Sequence, residues 1–172
     1  MEYDINEILS IQQRNSRKNS WKEVEDKIGI KFPKDYKMFI NLYGEGGINE
    51  FLWILSPFSK NEYLNSMEKF KVMKESYNSM KQEFPKQFLF DFYDGQNGLF
   101  PWGVTDNGDE LFWNYNDGTI EIIVYGSRYL DNEKYLMTME EFLYKLLKRN
   151  IICPLFPDDF ILDTNYYENI YM

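Results

Sequence analysis

Residues 99–125, LFPWGVTDNGDELFWNYNDGTIEIIVY, contain the pattern that decides the fold. Three runs rich in aromatic and β-branched residues are separated by two tracts rich in Asp, Asn and Gly. The runs predict strands over Leu99–Val104, Leu111–Tyr115 and Ile120–Tyr125. The tract 105–109 is typical of a turn, and the sequence Asn-Asp-Gly at 116–118 is a strong hairpin signal. The stretch therefore predicts an antiparallel meander.

Helical patterns precede this meander. Ser20 with Glu23, and Ser59 with Glu62, have the spacing of a capping box, which favours a helix start at each serine. The expected helices run from Asp4 to about Gln13, from Ser20 to Gly29, from Pro33 to Gly44, and from Ser59 to about Glu83. Between the last two, the glycine-rich stretch 44–47 is interpreted as a turn that needs positive φ, and the apolar run 51–55 as a buried strand.

A last helix is expected after the meander, because Thr138 and Glu141 form a third capping box ahead of a clean apolar stripe. The tail from Ile151 onward mixes prolines, aromatics and acids, and we expect it to cover an edge of the sheet. No repeat or low-complexity tract divides the chain. The sequence therefore predicts one α+β domain over residues 1–172, in which helices flank a mainly antiparallel or mixed sheet of short strands.

Composition excludes several kinds of site. The 172 residues include no histidine and a single cysteine, Cys153. Ser-His-Asp and Cys-His catalysis, disulfide frameworks and multi-cysteine zinc sites are therefore excluded. A net charge of −9 argues against nucleic-acid binding. No stretch approaches the apolar length of a membrane span, and the acidic N-terminus is unlike a secretory signal, so we expect a cytoplasmic protein that does not bind membranes.

The sequence offers no positive sign of an active site. Acidic clusters occur at 106–110, at Glu140-Glu141 and at Asp158-Asp159. The first fails the spacing of a calcium-binding loop, since Gly108 comes too early. We therefore predict no catalytic residue, no metal site and no cofactor. A carboxylate pair for hydrolysis remains a remote alternative, because three-dimensional geometry sets the distance between such groups.

The charge is unevenly distributed. Residues 1–86 have 14 Lys and Arg against 13 Asp and Glu, whereas residues 87–172 have 5 against 15, so essentially all net charge lies in the second half. One interpretation is an acidic surface that keeps the protein soluble. The other is a surface matched to a basic partner.

The second interpretation predicts a partner surface on the acidic strands. Its residues are Asp106, Asp109, Glu110, Asp117 and Glu121, with Trp113 as the possible aromatic centre. An alternative follows from strand alternation, because Leu111, Trp113 and Tyr115 share one face. If that face packs on helices, Trp113 belongs to the core and only the turn acids remain exposed.

A family resemblance lies in residues 21–47. The motif is Trp21-x-x-Val24-Glu25, Ile28-Gly29, Phe32-Pro33, Asp35-Tyr36, Phe39 and Gly44-x-Gly46-Gly47. It looks like the opening signature of the SUKH superfamily, whose members include fungal cell-wall assembly regulators and bacterial immunity proteins of polymorphic toxin systems. The structural positions of that signature map onto Trp21, Glu25, Gly29, Pro33, Tyr36, Phe39 and Gly47.

Later motifs extend this resemblance from about residue 20 to about residue 150. Pro101-Trp102-Gly103 is similar to the middle strands of the superfamily, and Thr138-x-x-x-Phe142-Leu143 to its closing helix. The resemblance implies an α+β fold and a non-catalytic role in binding another protein. A cytoplasmic immunity protein that neutralises a toxin, such as a basic nuclease, is the first hypothesis. A regulatory or scaffold module without a toxin is the second. The sequence leaves the oligomeric state open.

Overall fold

The computed structural model describes residues 3–11, 18–128 and 131–170. These residues form four α-helices: α1 (Trp21–Ile28), α2 (Lys34–Tyr43), α3 (Ser66–Glu83) and α4 (Met139–Leu147). They also form eight strands: β1 (Leu9–Ile11), β2 (Gly46–Ile48), β3 (Leu52–Ile54), β4 (Gly98–Thr105), β5 (Glu110–Asn116), β6 (Thr119–Tyr125), β7 (Asn132–Tyr135) and β8 (Asn165–Asn169). Two short 3-10 helices lie at Ile5–Glu7 and Asp158–Phe160.

All eight strands belong to one mixed sheet, in the order β1-β8-β2-β3-β4-β5-β6-β7. The pairing of β1 with β8 is parallel, and the other pairs are antiparallel. The predicted meander forms β4, β5 and β6, with its turns at the expected places. The α+β prediction is confirmed.

A bulge in β4 decides which aromatic residues face which helices. The register against β5 shifts between Pro101 and Gly103. Before the shift Phe100 lies in the same cluster as Trp102 and the residues beneath α1, α2 and α4, where it also stacks on Phe70 of α3 at 5.2 Å. Val104 after the shift packs on the opposite face with Leu99. An extra residue in one strand of a pair produces this change of side. Both faces of the central sheet are consequently buried.

The helices cover the two faces unequally. Helices α1, α2 and α4 pack on one face, where Trp113 and Ile122 are buried beneath them. On the other face α3 contributes Met73, with Phe70 and Tyr77 packed alongside, against the far side of β4, β5 and β6. Side chains that alternate along a strand point to opposite faces, so each central strand supplies both layers.

The predicted helices differ from the observed ones at three places. Helix α1 follows Ser20 as expected, but the Ser20 side chain makes no capping hydrogen bond, so that capping box is wrong. Helix α3 begins at Ser66 rather than near Ser59, because Asn65 accepts the N–H groups of Met67 and Glu68. The helix predicted from Asp4 to Gln13 is wrong over the described residues, which form a 3-10 helix and β1. Residues 12 and 13 lie outside the described part of the chain.

Helix α4 follows the prediction closely. The Thr138 hydroxyl accepts the N–H of Glu141 at 3.2 Å. The carboxylate of Glu141 pairs with Lys145 at 2.6 Å, so the threonine caps the helix and the glutamate stabilises its surface.

The glycine-rich stretch was predicted as a turn, and this is wrong for Gly46 and Gly47. Both lie in β2, and only Gly44 in this stretch has a positive φ, of 73°. A Cβ on Gly46 would lie 2.1 Å from the backbone oxygen of Glu168 in β8. A Cβ on Gly47 would lie 2.7 Å from the ring of Trp53 in β3. Close approach, and not backbone strain, requires these two glycines.

The C-terminal tail is an internal strand rather than a cover over an edge. Strand β8 lies between β1 and β2, and joins the two ends of the described chain in one sheet. The pattern of β8, Asn165-Tyr-Tyr-Glu-Asn169, has alternating burial that its mixed composition did not reveal.

We predict that Gly46→Ala destabilises the protein more than Gly47→Ala. The obstacle at position 46 is backbone, which cannot rotate away, whereas the obstacle at position 47 is a side chain. We expect free energies of unfolding lower by about 3 kcal/mol and about 1 kcal/mol respectively, measured by urea denaturation.

The matched control introduces Gly46→Ala and Gly47→Ala separately into a protein that already has Trp53→Leu. Loss of the ring should restore most of the stability of Gly47→Ala and leave Gly46→Ala unchanged. Equal costs in both backgrounds would contradict the steric explanation.

Candidate protein-interaction site

The predicted acidic surface is divided in the structure. Asp106 and Asp117 are exposed, but they lie in turns at opposite ends of β5. A seven-residue strand separates them, which at the usual rise corresponds to about 20 Å. Glu121 is half-buried in β6, where it accepts a hydrogen bond from the Asn114 amide at 2.9 Å. These acids do not form one continuous patch.

Asp109 is a structural residue. It is only 3% exposed, and its carboxylate accepts the Thr105 hydroxyl at 2.7 Å and the Ser127 N–H at 2.9 Å. The Asp109 N–H in turn donates to the Thr105 hydroxyl. These bonds close the turn between β4 and β5 and join it to the end of β6. A carboxylate with its acceptors used inside the protein is not available to a partner.

Glu110 is also committed to an internal contact. The Tyr77 hydroxyl on α3 donates to its carboxylate at 2.5 Å. Burial raises the pKa of Glu110, and the neighbouring Asp109 charge raises it further, although the Tyr77 hydrogen bond and Lys69 act in the opposite direction. The pair therefore attaches α3 to the sheet.

Trp113 belongs to the core, as the alternative interpretation expects. It is 1% exposed, and its ring stacks on Trp102 with a centroid distance of 6.1 Å. The Tyr36 ring meets Trp113 edge-on at 4.6 Å. Trp113 is therefore a core residue and not the exposed centre of an interface, although it also lines the larger cavity described below.

The residues of the opening motif connect α1, α2 and the sheet. Glu25 is 6% exposed and accepts the Phe32 N–H at 3.0 Å. Lys37 pairs with the same carboxylate at 3.0 Å and Lys31 at 3.3 Å. Gly29 ends α1 with a φ of 76°. The motif therefore fixes the loop that joins the two helices.

Aromatic residues of the motif form the packing layer beneath α2. Trp21 packs edge-on against Phe58 at 4.8 Å and donates its Nε1 hydrogen to Asn41. Tyr36 is fully buried, and its hydroxyl donates to the Leu55 carbonyl at 2.7 Å. Phe39 stacks on Tyr43 at 4.5 Å. These positions are structural in this chain.

The first turn of α2 contacts the first turn of α4. The Asp35 carboxylate accepts the N–H of Glu140 at 3.0 Å, beside the Thr138 hydroxyl that accepts the next N–H. Two of the free N–H groups at the start of α4 are thereby satisfied, one by a residue about a hundred positions earlier. Pro33 precedes this turn of α2 as its N-cap.

An apolar groove opens where these two helix starts meet. We call it the α2/α4 groove; it comprises a cavity of about 670 Å³ and a neighbouring one of about 340 Å³, and Asp35, Met38 and Glu140 line both. Leu136 and Ile120 line the larger cavity. Sequence reasoning missed this groove. The only local signals were Pro33 and the Thr138 cap, which locate two helix starts but not their contact.

Clustered metal-binding side chains and cysteine nucleophiles are scarce among the described residues. Within the described ranges no set of three or more His, Cys, Asp or Glu side chains is placed to hold a metal ion. Cys153 is buried, and burial raises the pKa of its thiol. None of the helices in the described part of the chain is both long and apolar enough to cross a membrane.

Comparison with known proteins identifies one family. The family model SUKH_5, described as SMI1-KNR4 cell-wall, matches residues 2–128, which are about three quarters of the chain. The match includes β1 to β6 and stops before β7, α4 and β8. No curated protein and no solved structure matches the chain.

We predict that Glu25→Gln lowers the free energy of unfolding by about 2 kcal/mol at pH 7, the usual cost of weakening hydrogen bonds to a buried charge. Burial by itself raises the pKa of Glu25, but its hydrogen bonds, above all that from Lys37, outweigh burial and lower it. The stabilisation is therefore complete above the ordinary glutamate pKa and is lost as the pH falls through the lowered value.

Asp26→Asn is the matched control, because the Asp26–Lys22 pair is exposed and should contribute little. Urea denaturation between pH 3 and pH 7 measures both variants. Equal losses at the two positions would contradict a structural role for Glu25.

We predict that Glu110→Gln, unlike Glu25→Gln, raises the stability of the folded protein at pH 7. The pKa of Glu110 is raised in the folded protein, so stability from this group decreases as the pH rises from the ordinary glutamate pKa through the raised value. Glutamine keeps an acceptor for Tyr77 without the buried charge. The melting temperature of the variant should exceed that of the wild type at pH 7, and the difference should disappear near pH 4. A loss of stability at pH 7 would show that the ionised carboxylate is required.

Proposed function

Because the chain belongs to the SMI1-KNR4 family of the SUKH superfamily, we propose that it is an immunity-type protein that binds a toxin domain and neutralises it. The family match over residues 2–128 is the observation on which the proposal depends. Domains of this family generally act in protein interactions. Neutralisation by contact requires a folded surface and no chemistry by the protein itself.

Three acidic side chains form hydrogen bonds within the fold, which supports a role without catalysis. Glu25, Asp109 and Glu110 all hold elements of the fold together. Catalytic carboxylates need access to substrate and a partner group of different pKa, and these three face the protein interior. We therefore propose a binding protein and not a hydrolase.

Charge supports a basic partner for this binding protein. The net charge is −9, and the acidic excess is confined to the second half of the sequence. Long-range attraction between opposite charges raises association rates. A basic toxin such as a nuclease fits this requirement, and the cytoplasm of the producing cell is the place where protection is needed.

A regulatory or scaffold module is the second candidate. The family description refers to the cell wall, which favours a role in regulation as much as one in immunity. The two candidates differ in one measurable respect, since only an immunity protein restores growth to a cell that expresses a toxin.

The deciding experiment is co-expression with the C-terminal domain of a large secreted protein encoded beside this gene. We expect restored growth and a stoichiometric complex that can be purified. Folded protein that neither binds this domain nor restores growth would contradict the immunity proposal.

The rate of association with the toxin domain tests the proposal that the partner is basic. Asp106→Asn with Asp117→Asn removes two exposed charges, and we expect a several-fold slower association at low salt that becomes smaller at high salt. Glu75→Gln with Glu83→Gln on α3 gives the same change of net charge at another exposed place. Equal effects of the two pairs would indicate that net charge, and not position, controls the rate.

A further inference from the structure

The α2/α4 groove has the properties of a peptide-binding site. We propose that it binds a segment of a protein partner in which a large apolar side chain is flanked by lysine or arginine. The inference rests on the proposed function in that the partner is a protein, and it adds the place and the chemistry of recognition. The groove lies on the opposite face of the sheet from Glu110 and Glu121, so it is separate from these two acidic side chains.

Exposed apolar residues surround the opening of the groove. Leu136 is 80% exposed and Met38 is 45% exposed, and both line the larger cavity. Met137, which is half-buried, continues this lining, and Met139 lies buried beneath it. Methionine side chains are flexible and polarisable, so a surface rich in them adapts to the shape of an incoming apolar group. An apolar side chain of the partner bound here would remove Leu136 and Met38 from water.

The size of the groove fits one or two large side chains. Its larger cavity, about 670 Å³, is within the range of sites that enclose a ligand. Interfaces between proteins often depend on a single aromatic or aliphatic residue inserted in a pocket of this kind. The adjoining cavity of about 340 Å³ offers a second position along the same segment.

Two carboxylates determine which charge the partner should have beside its apolar side chain. They belong to Asp35 and Glu140, which line both cavities, and we call this pair the ridge. Burial raises the pKa of Glu140, and the charges of Asp35 and Asp4 raise it further, whereas a hydrogen bond from the Ile5 N–H lowers it. Carboxylates that repel one another favour a cation between them. A lysine or arginine of the partner would lie there.

Neighbouring cations do not neutralise this ridge completely. Lys145 pairs with Glu141, one residue further along α4. Lys34 lines the larger cavity, and within the described residues it takes part in none of the ion pairs. Counted over the described residues alone, the ridge with Lys34 therefore keeps a negative balance. A second copy of this acidic chain would bring further negative charge and is a poor occupant by comparison.

The test uses a defined probe, an amidated peptide of sequence Lys-Lys-Phe-Arg-Lys, titrated into the full-length protein with labelled methionine methyl groups. We expect the methyl signals of Met38 and Met137 to shift with the peptide and those of Met73 and Met80 on α3 to stay fixed. The control peptide Glu-Glu-Phe-Asp-Glu has the same apolar residue and the opposite charge, and it should move none of them. Fixed Met38 and Met137 signals would overturn the proposal.

Substitutions test the two parts of the recognition separately. Leu136→Ser with Met38→Ala removes exposed apolar surface, and we expect peptide affinity about tenfold lower. Glu140→Gln removes a ridge charge and should weaken binding about threefold, with less weakening at high salt. Leu89→Ser, which changes a leucine of 64% exposure elsewhere, is the matched control and should have no effect. Equal affinity of all variants would overturn the proposal.

The same variants separate this inference from the proposed function. If a toxin domain binds wild type and the Leu136 and Met38 variant equally well, the groove is not its site, and the inference fails while the immunity proposal stands. If no toxin is neutralised but the basic peptide binds in the groove, the immunity proposal fails and the inference stands.

Discussion

The packing of Tyr36 against Trp113 is the contact on which the rest of the architecture depends. Tyr36 comes from the first turn of α2, and its buried ring meets the tryptophan of β5 at 4.6 Å while its hydroxyl donates to the Leu55 carbonyl. Trp102 also stacks on Trp113, and Phe142 of α4 meets Trp102 edge-on. Since rigid rings set these separations, α2 and α4 must lie side by side on one face. Their first turns meet, and the α2/α4 groove is the consequence.

Three acids that are buried or half-buried connect separate parts of this structure. Glu25 joins α1 to α2, Asp35 joins α2 to α4, and Asp109 closes a turn of the sheet. Each accepts backbone N–H groups that would otherwise be unsatisfied, which is where a carboxylate contributes most to stability. Net charge counts these residues together with the exposed ones. In the second half Asp109 is buried and Glu110 is bonded to Tyr77, so the acidic excess there overstates the surface charge available for recognition, and position in the fold is the better guide to a binding site.

The two ends of the described chain depend on one another. Strand β8 lies between β1 and β2, and the absence of a side chain on Gly46 lets its backbone approach Glu168. Strand β8, which follows the region matched by the family model, thus completes a sheet whose first strands lie within that region. The α4 side of the groove also lies beyond the match.

Local pattern alone determined the meander, α1, α2 and α4, because hydrophobic period, turn residues and helix ends are properties of neighbouring residues. It also identified Trp113 as a core residue in one of two alternatives. Tertiary structure decided what depends on distant residues: the strand conformation of Gly46 and Gly47, the insertion of β8, the burial of Asp109 and the cap that Asp35 provides to α4. The groove belongs to this second group. Its lining comes from α2, β5, β6 and the start of α4, and no local pattern specifies which surfaces meet across such sequence separations.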